Sequence, residues 1–235
     1  MKNTIAENVS AKISFLKNVP LLKSLDDENL DYLAANIQEL KLSKYSFLYK
    51  MNEVADQLFI LKEGIVKISS FTNDSREVIK AVIHSTMTFN GHAITSQNNV
   101  LREDAQSMDR ACIIYAIDST VVRELLRRNF QFAMDVMTMM SHKIKKTEAR
   151  LESLILEDAR TRVINFLKEN ANKFGKRVGI DEMLIRHSFT QQDIANFTGT
   201  SRQTVTTILN DLKKNNQIIL SRKRILIRDT GIFTS

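Results

Sequence analysis

The spacing of apolar residues divides the chain into segments of different period. In SLDDENLDYLAANIQEL, acidic residues follow Ser24, and Leu30, Leu33, Ala34 and Ile37 then recur three and four apart. That spacing predicts helix across residues 8–40, with Ser24 as the capping residue. From about Leu40 to Ile117 the period falls to two. Val66, Ile68 and Ser70 alternate with Ile65, Lys67 and Ser69, TNDS supplies a turn, and REVIKAVI resumes as an extended segment. Short strands separated by turns predict a small antiparallel sandwich or barrel. From Ser119 to Ala171 the helical period returns. EDARTRVINFLKENANKFGKRVG begins acidic, spaces Val163, Ile164, Phe166 and Leu167 along a helix, and ends at Gly175 and Gly179. It reads as the start of a last domain's own core.

Within the second helical stretch, Val136, Met140, Ile144, Thr147, Leu151 and Leu154 form a narrow stripe. Lys145, Lys146, Glu148 and Arg150 occupy the other faces, which leaves a seam suited to a second copy of the same helix. Packing of one long helix on its own strands is the alternative. Met137, Met139 and Met140 read as adaptable packing rather than a hydrophobic ligand site. The resulting scheme is 1–118, then a pairing helix at 119–156, then 157–235.

Charge singles out the last part. Residues 141–235 hold 18 Lys and Arg against 10 Asp and Glu, net +8, and residues 1–140 hold 16 against 17, net −1. A basic domain beside a neutral one favours a phosphate-bearing partner, since cations displace counterions from a polyanion. The chain contains one cysteine, Cys112, in the apolar run ACIIYAI. It excludes an internal disulfide framework and a cysteine-only metal or iron–sulfur site, and reads as a buried thiol, with a redox sensor as the sharper alternative. No apolar run approaches the roughly 20 residues of a membrane span, and MKNTIAENVSAKIS lacks the apolar core of a secretory signal. The expectation is a cytoplasmic protein without a membrane partner.

The most informative segment is TQQDIANFTGTSRQTVTTILNDL. Thr190 with Asp193 forms a capping-box pattern, Ile194, Ala195 and Phe197 give a first helix its buried face, and Gly199 can adopt the left-handed conformation that ends it. Ser201 caps a second helix whose Val205, Ile208, Leu209 and Leu212 face inward. Arg202, Gln203, Thr206 and Thr207 are left facing outward, as base-reading residues of a recognition helix in a helix-turn-helix. Arginine suits a guanine edge or phosphate, glutamine adenine, and threonine a phosphate or thymine methyl. Thr190, Ser201 and Thr204 are candidate backbone contacts. So are Arg222, Lys223 and Arg224, in QIILSRKRILIRD, which reads as a basic hairpin beside the reading helix.

This order of parts resembles the bacterial cyclic AMP receptor protein and fumarate–nitrate regulator (Crp/Fnr) family over nearly the whole chain. LFILKEGIVKIS is similar to its strand–glycine–strand, with Gly64 at the turn; DARTRVINFL to the helix after its dimer helix; FTQQDIANFTGTSRQTVTTIL to its helix-turn-helix. The resemblance implies an α+β fold: an N-terminal double-stranded β-roll like that of cyclic-nucleotide-binding domains, a long dimerisation helix and a C-terminal winged helix-turn-helix. It also implies a homodimer that regulates transcription from double-stranded DNA, with RNA polymerase as a partner and a small-molecule effector as a further one.

The departures from the family lie in the sensor. Nucleotide-binding members carry a glycine–glutamate pair for the ribose, and downstream an arginine followed by serine or threonine for the cyclic phosphate. Here FNGHA keeps Gly91 but has His92, and LREDAQ has Glu103 and Asp104, with Arg102 and Arg110 off the matching position. Two carboxylates repel an anionic phosphate, which disfavours cyclic AMP as cofactor and leaves the effector unnamed. Thr147 aligns with a dimer-helix threonine that meets the base in such members, and it also fits the stripe. Iron–sulfur members need several cysteines. His84, His92, His142 and His187 are scattered and assign no haem ligand, and no metal site is expected. Gln203 and Thr207 replace a common glutamate and a common second arginine of the reading helix, so the preferred bases differ from those of the family's best-known site.

Two readings compete with a transcription factor. An enzyme lacks support, because no nucleophile elbow, phosphate-cradling glycine loop or zinc-protease motif is present and the chain has six glycines in all. A sensor acting on another protein, with incidental DNA affinity, would bind DNA without sequence choice.

Overall fold

The computed structural model describes residues 2–95, 100–186, 189–221 and 224–228. They form two compact units: Met1–Asp74 with Lys80–Lys145, and Ser75–Ile79 with Lys146–Ser235.

The first unit opens with α1 (Lys2–Leu16), a 3-10 turn at Pro20–Leu22 and α2 (Asp27–Ala35). The cap of α2 is Asp26, whose carboxylate accepts from the Asn29 N–H at 2.9 Å, and not Ser24. Both residues are good caps in sequence; the helix starts at the one whose oxygen reaches the third N–H beyond it. The helix stops at Asn36, and Ile37 begins a strand, so the expected helix to residue 40 is three short elements and a strand instead.

Among the described residues eight strands follow: β1 (Ile37–Ser43), β2 (Phe47–Tyr49), β3 (Gln57–Glu63), β4 (Val66–Phe71), β5 (Glu77–Ile83), β6 (Thr88–Phe89), β7 (Asp104–Ser107) and β8 (Ala111–Asp118). One sheet runs β1-β8-β3-β6 and the other β2-β7-β4-β5. The strands β3 and β8 of the first sheet are buried on both faces. Leu58, Ile60, Tyr115 and Ile117 face a core shared with α1 and α2, while Phe59, Leu61, Cys112, Ile114 and Ala116 face the core between the sheets. That double burial explains the unbroken apolar runs LFIL and CIIYAI, which alternation alone leaves unexplained. Gly64, after β3, has φ +94, and a Cβ there would meet Cys112 Sγ at 2.5 Å and Ala111 O at 2.8 Å, so the turn requires glycine. Cys112 is fully buried beside Ser107 Oγ (3.1 Å) and Ile65 O (3.3 Å).

The segment 119–156 is two helices, α4 (Ser119–Arg128, after a short α3 at His92–Thr95) and α5 (Phe130–Leu156). Asn129 breaks them apart at φ −129, and its carboxamide oxygen accepts from Phe132 N at 2.9 Å to cap α5. Phe132 and Val136 are buried in the first core, with Met139 and Met140 packed against it.

The second unit contains α6 (Ala159–Phe174), β9 (Lys176–Arg177), β10 (Met183–Arg186), α7 (Gln191–Thr198), α8 (Arg202–Lys214), β11 (Ile218–Ser221) and β12 (Arg224–Ile227). Its sheet runs β11-β12-β10-β9, and β11 and β12 pair antiparallel with Ser221 opposite Arg224. Its core joins Val163, Phe166 and Leu167 of α6 to Ile194 and Ala195 of α7, to Val205, Ile208, Leu209 and Leu212 of α8, and to Ile218, Ile225 and Ile227 of the hairpin. Such a cluster fixes two short helices that could not persist alone.

Candidate nucleic-acid interface

Helix α7 starts at a complete capping box. Thr190 Oγ1 accepts from Asp193 N (3.1 Å), and the Asp193 carboxylate accepts from Thr190 N (2.8 Å) and Thr190 Oγ1 (2.6 Å). It ends at Gly199, left-handed at φ 66, ψ 41, with Thr200 N donating to Ala195 O at 3.1 Å. Ser201 then caps α8 by accepting from Thr204 N at 3.0 Å, with Thr204 Oγ1 at 2.8 Å from the same oxygen. The turn between the helices is thus built from local hydrogen bonds at both ends.

With Val205, Ile208, Leu209 and Leu212 facing the core, Arg202, Gln203 and Thr207 are exposed on the opposite face. Thr206 is half-buried, and its hydroxyl lies 2.7 Å from Gln191 Oε1 and 2.8 Å from Arg202 O, so its one proton is already engaged. A depression of about 340 Å³ is lined by Thr190, Gln191 and Gln192 at the start of α7 and by Arg202 at the start of α8. First-turn N–H groups and the positive end of a helix dipole suit the start of a helix to a phosphate. The hydroxyls of Thr190 and Ser201 serve as caps, and that of Thr204 is bonded to the Ser201 hydroxyl. Arg224 is exposed at the start of β12. Arg222, Lys223 and His187 lie outside the described residues.

The stripe residues of α5 divide. Val136 is 5 % exposed in its own chain's core, and Met140 packs against that core and is half-buried. Ile144 and Leu151 are 59 % and 58 % exposed, Thr147 is exposed, and Leu154 is 44 % exposed; Ile155 and Leu156, which the sequence pattern omitted, are 71 % and 81 % exposed.

In the roll, Glu103 Oε2 pairs with Lys80 Nζ at 3.2 Å, and Asp104 Oδ1 accepts from Met51 N at 2.7 Å. Gly91 precedes α3, with a Met139 methyl 3.9 Å from where its Cβ would stand, and His92 is exposed on α3. Thr147 is on the second unit's part of α5. The interior between the sheets holds a run of rings, Tyr49 with Phe59 at 5.7 Å and Phe59 with Phe89 at 5.3 Å between centroids. The buried Tyr49 hydroxyl has no hydrogen-bond partner among the described residues. Burial, and then the charges of Glu103 and Asp104, push it well above the ordinary tyrosine range. Sequence reasoning missed this aromatic run; Phe59 and Phe89 are far apart in the chain and adjoin through the pairing of β3 with β6.

Comparison with known proteins agrees with this geometry. A cyclic nucleotide-binding domain profile matches residues 39–129 and a Crp-like helix-turn-helix domain profile matches residues 161–231. The chain is 25% identical over 223 residues to the CRP-like cAMP-activated global transcriptional regulator of Mycobacterium tuberculosis, covering 92% of this chain and 95% of that protein. It is 21% identical over 217 residues to the anaerobic regulatory protein of Bacillus subtilis, covering 87% and 88%. The structure of FixK2 from Bradyrhizobium japonicum matches with a TM-score of 0.74 at 17% identity, covering 84% of this chain and 96% of that one. A β-roll and a Crp-type helix-turn-helix stand here in the order those relatives share, and the chain belongs to the Crp/Fnr family of transcriptional regulators, with a helix-turn-helix DNA-binding domain.

Proposed function

We propose that the protein is a homodimeric, sequence-specific regulator whose α8 enters the major groove of double-stranded DNA and whose copies join along α5. The exposed face of α8 carries the reading. Arg202 and Gln203 stand in its first turn and Thr207 in its second, while the four apolar residues opposite hold the helix in the core. Arg202 grips a guanine edge or a phosphate, Gln203 an adenine, and Thr207 a thymine methyl. Thr206 acts chiefly by tying α8 to Gln191. Phosphates are met by backbone N–H groups in the hollow at the start of α7 and α8, and by Arg224, with Arg222 and Lys223 beside it in sequence.

The dimer reading rests on Ile144, Leu151, Ile155 and Leu156, apolar side chains on a helix that leaves them largely uncovered in the single chain. A two-fold pair would place its reading helices on half-sites about 34 Å apart. The relative from M. tuberculosis is by its name cAMP-activated. In this chain Glu103 and Asp104 stand where the phosphate-binding residues of the family would be, so the roll does not take a cyclic nucleotide through that contact. Any effector is of another kind, and the bound dimer acts on RNA polymerase.

Selection of bound sequences from random duplexes, by the purified protein without ligand at near-physiological salt, tests this. A two-fold-symmetric motif is the expected result. Salt-dependent binding without enrichment, unchanged by cell extract and candidate nucleotides, would overturn it.

A further inference from the structure

Two arginines hold the end of α7, at the turn of the helix-turn-helix. Arg162, on α6, donates from Nε to Thr198 O at 2.8 Å and from one terminal nitrogen to Gly199 O at 3.3 Å; its other terminal nitrogen reaches Glu157 O at 2.5 Å. Arg150, on α5, donates to Phe197 O at 2.6 Å and lies 4.4 Å over the Phe197 ring, and the same nitrogen also reaches Ile79 O at 2.7 Å. Phe197, Thr198 and Gly199 are successive residues at the end of α7, where carbonyls lose their helical partners and the helix dipole is negative. At the other end of the bridge, the Glu157 carboxylate accepts from Ser153 Oγ at 2.5 Å and from Asn165 Nδ2 at 3.1 Å, which ties the end of α5 to α6. One guanidinium therefore spans the α5–α6 elbow and the turn that aims the recognition helix.

We propose that Arg162, assisted by Arg150, is a positioning residue for DNA reading: it fixes the direction of α8 relative to the end of α5, and thereby the half-site separation that a dimer accepts. The inference rests on the dimeric reading function proposed above. Three carbonyls in different directions call for a planar fork with several donors, which lysine, a point charge on a flexible stem, does not supply. The carbonyls that Arg162 bonds are those of Glu157, Thr198 and Gly199, none on the exposed face of α8, so its loss removes none of the base contacts proposed above.

The experiment measures affinities of the full-length protein for its selected palindrome, for the same palindrome with one or two base pairs added or removed between half-sites, and for random duplex. Thermal midpoint and mass in solution are recorded alongside. The wild type should prefer one spacing. Arg162→Ala should lose about tenfold on that spacing, the scale of one charge-assisted hydrogen bond, and much less on the others, so that spacing preference collapses. Random-duplex affinity should stay near wild type, and Arg162→Lys should not rescue. A folded dimeric variant that keeps the wild-type spacing preference overturns the inference, as does an equal loss on every duplex, which would mark Arg162 as a stability residue only. If Arg162→Ala does not fold, Arg162→Gln, which retains one carbonyl-directed donor, is read by the same criteria. A wild type with no palindrome, or none with a preferred spacing, overturns the proposed function instead.

Discussion

Replacing Gly199 by alanine tests the turn on which the reading head depends. At φ 66 the residue is left-handed, and a Cβ would stand 2.8 Å from Leu154 Cδ2. The left-handed conformation costs a residue with a Cβ roughly 1–2 kcal/mol. The loss of unfolded-state freedom on going from glycine to alanine offsets roughly 0.4–1 kcal/mol of that. Leu154 is 44 % exposed, so its methyl can turn aside for about 0.5 kcal/mol. The net expectation is destabilisation of about 1 kcal/mol, read in urea at fixed protein concentration as a lower midpoint with an unchanged slope. Gly199→Asn separates the two contributions. Asparagine carries the same Cβ to the same methyl but tolerates the left-handed region, so it should fall between wild type and alanine. An alanine variant as stable as the wild type would refute the reasoning. So would an asparagine variant no better than alanine, because strain in the backbone would then not be the source.

Three further outcomes are expected. Arg202→Ala should lose roughly 1–3 kcal/mol at the preferred site and relax the choice of base there; equal losses on specific and random DNA, measured by titration, would assign the side chain to phosphate. Leu151→Glu, placing a charge on a 58 % exposed position of the α5 stripe, should give monomers by sedimentation and abolish palindrome binding; an intact dimer would put the seam elsewhere. The Thr161 N–H bound to Asp158, followed by the Thr161 side chain, holds this carboxylate below its ordinary 3.8. A depressed carboxylate contributes stability that is present above its unfolded value and lost as pH falls through the folded one. Asparagine also caps helices, so the gap in melting temperature between wild type and Asp158→Asn should close as pH falls below about 4; a gap constant with pH would refute the assignment.

The parts legible in sequence are those whose cause is local. The Thr190–Asp193 box, Gly199 and Ser201 act within four residues of themselves, and the inward set Val205, Ile208, Leu209 and Leu212 follows from helical period, so residue order alone is enough to place the helix-turn-helix. Where two local answers are equally good, residue order does not choose between them. Ser24 and Asp26 both suit a cap, and Ile37 continues the spacing of Leu30, Leu33 and Ala34 although it belongs to β1. Asn129 leaves no mark on the pattern because apolar spacing runs on both sides of it, and one polar residue with a free carboxamide suffices to end α4 and cap α5.

The α5 stripe shows why period alone does not assign a partner. Apolar residues three and four apart state only that one face of a helix leaves water. Along α5 that face is covered to different extents: Val136 lies in its own chain's core, while Ile144 and Leu151 stay more than half exposed among the described residues. Arg150 and Arg162 are illegible in sequence for a related reason. An arginine on a helix reads as solvated charge, and only the return of the chain some 36 to 47 residues later brings three carbonyls within reach of these two. The residues proposed to read DNA are legible because they are polar where the helix is exposed. Arg150 and Arg162 are polar where the fold bends back on itself, and that is a property of the tertiary structure.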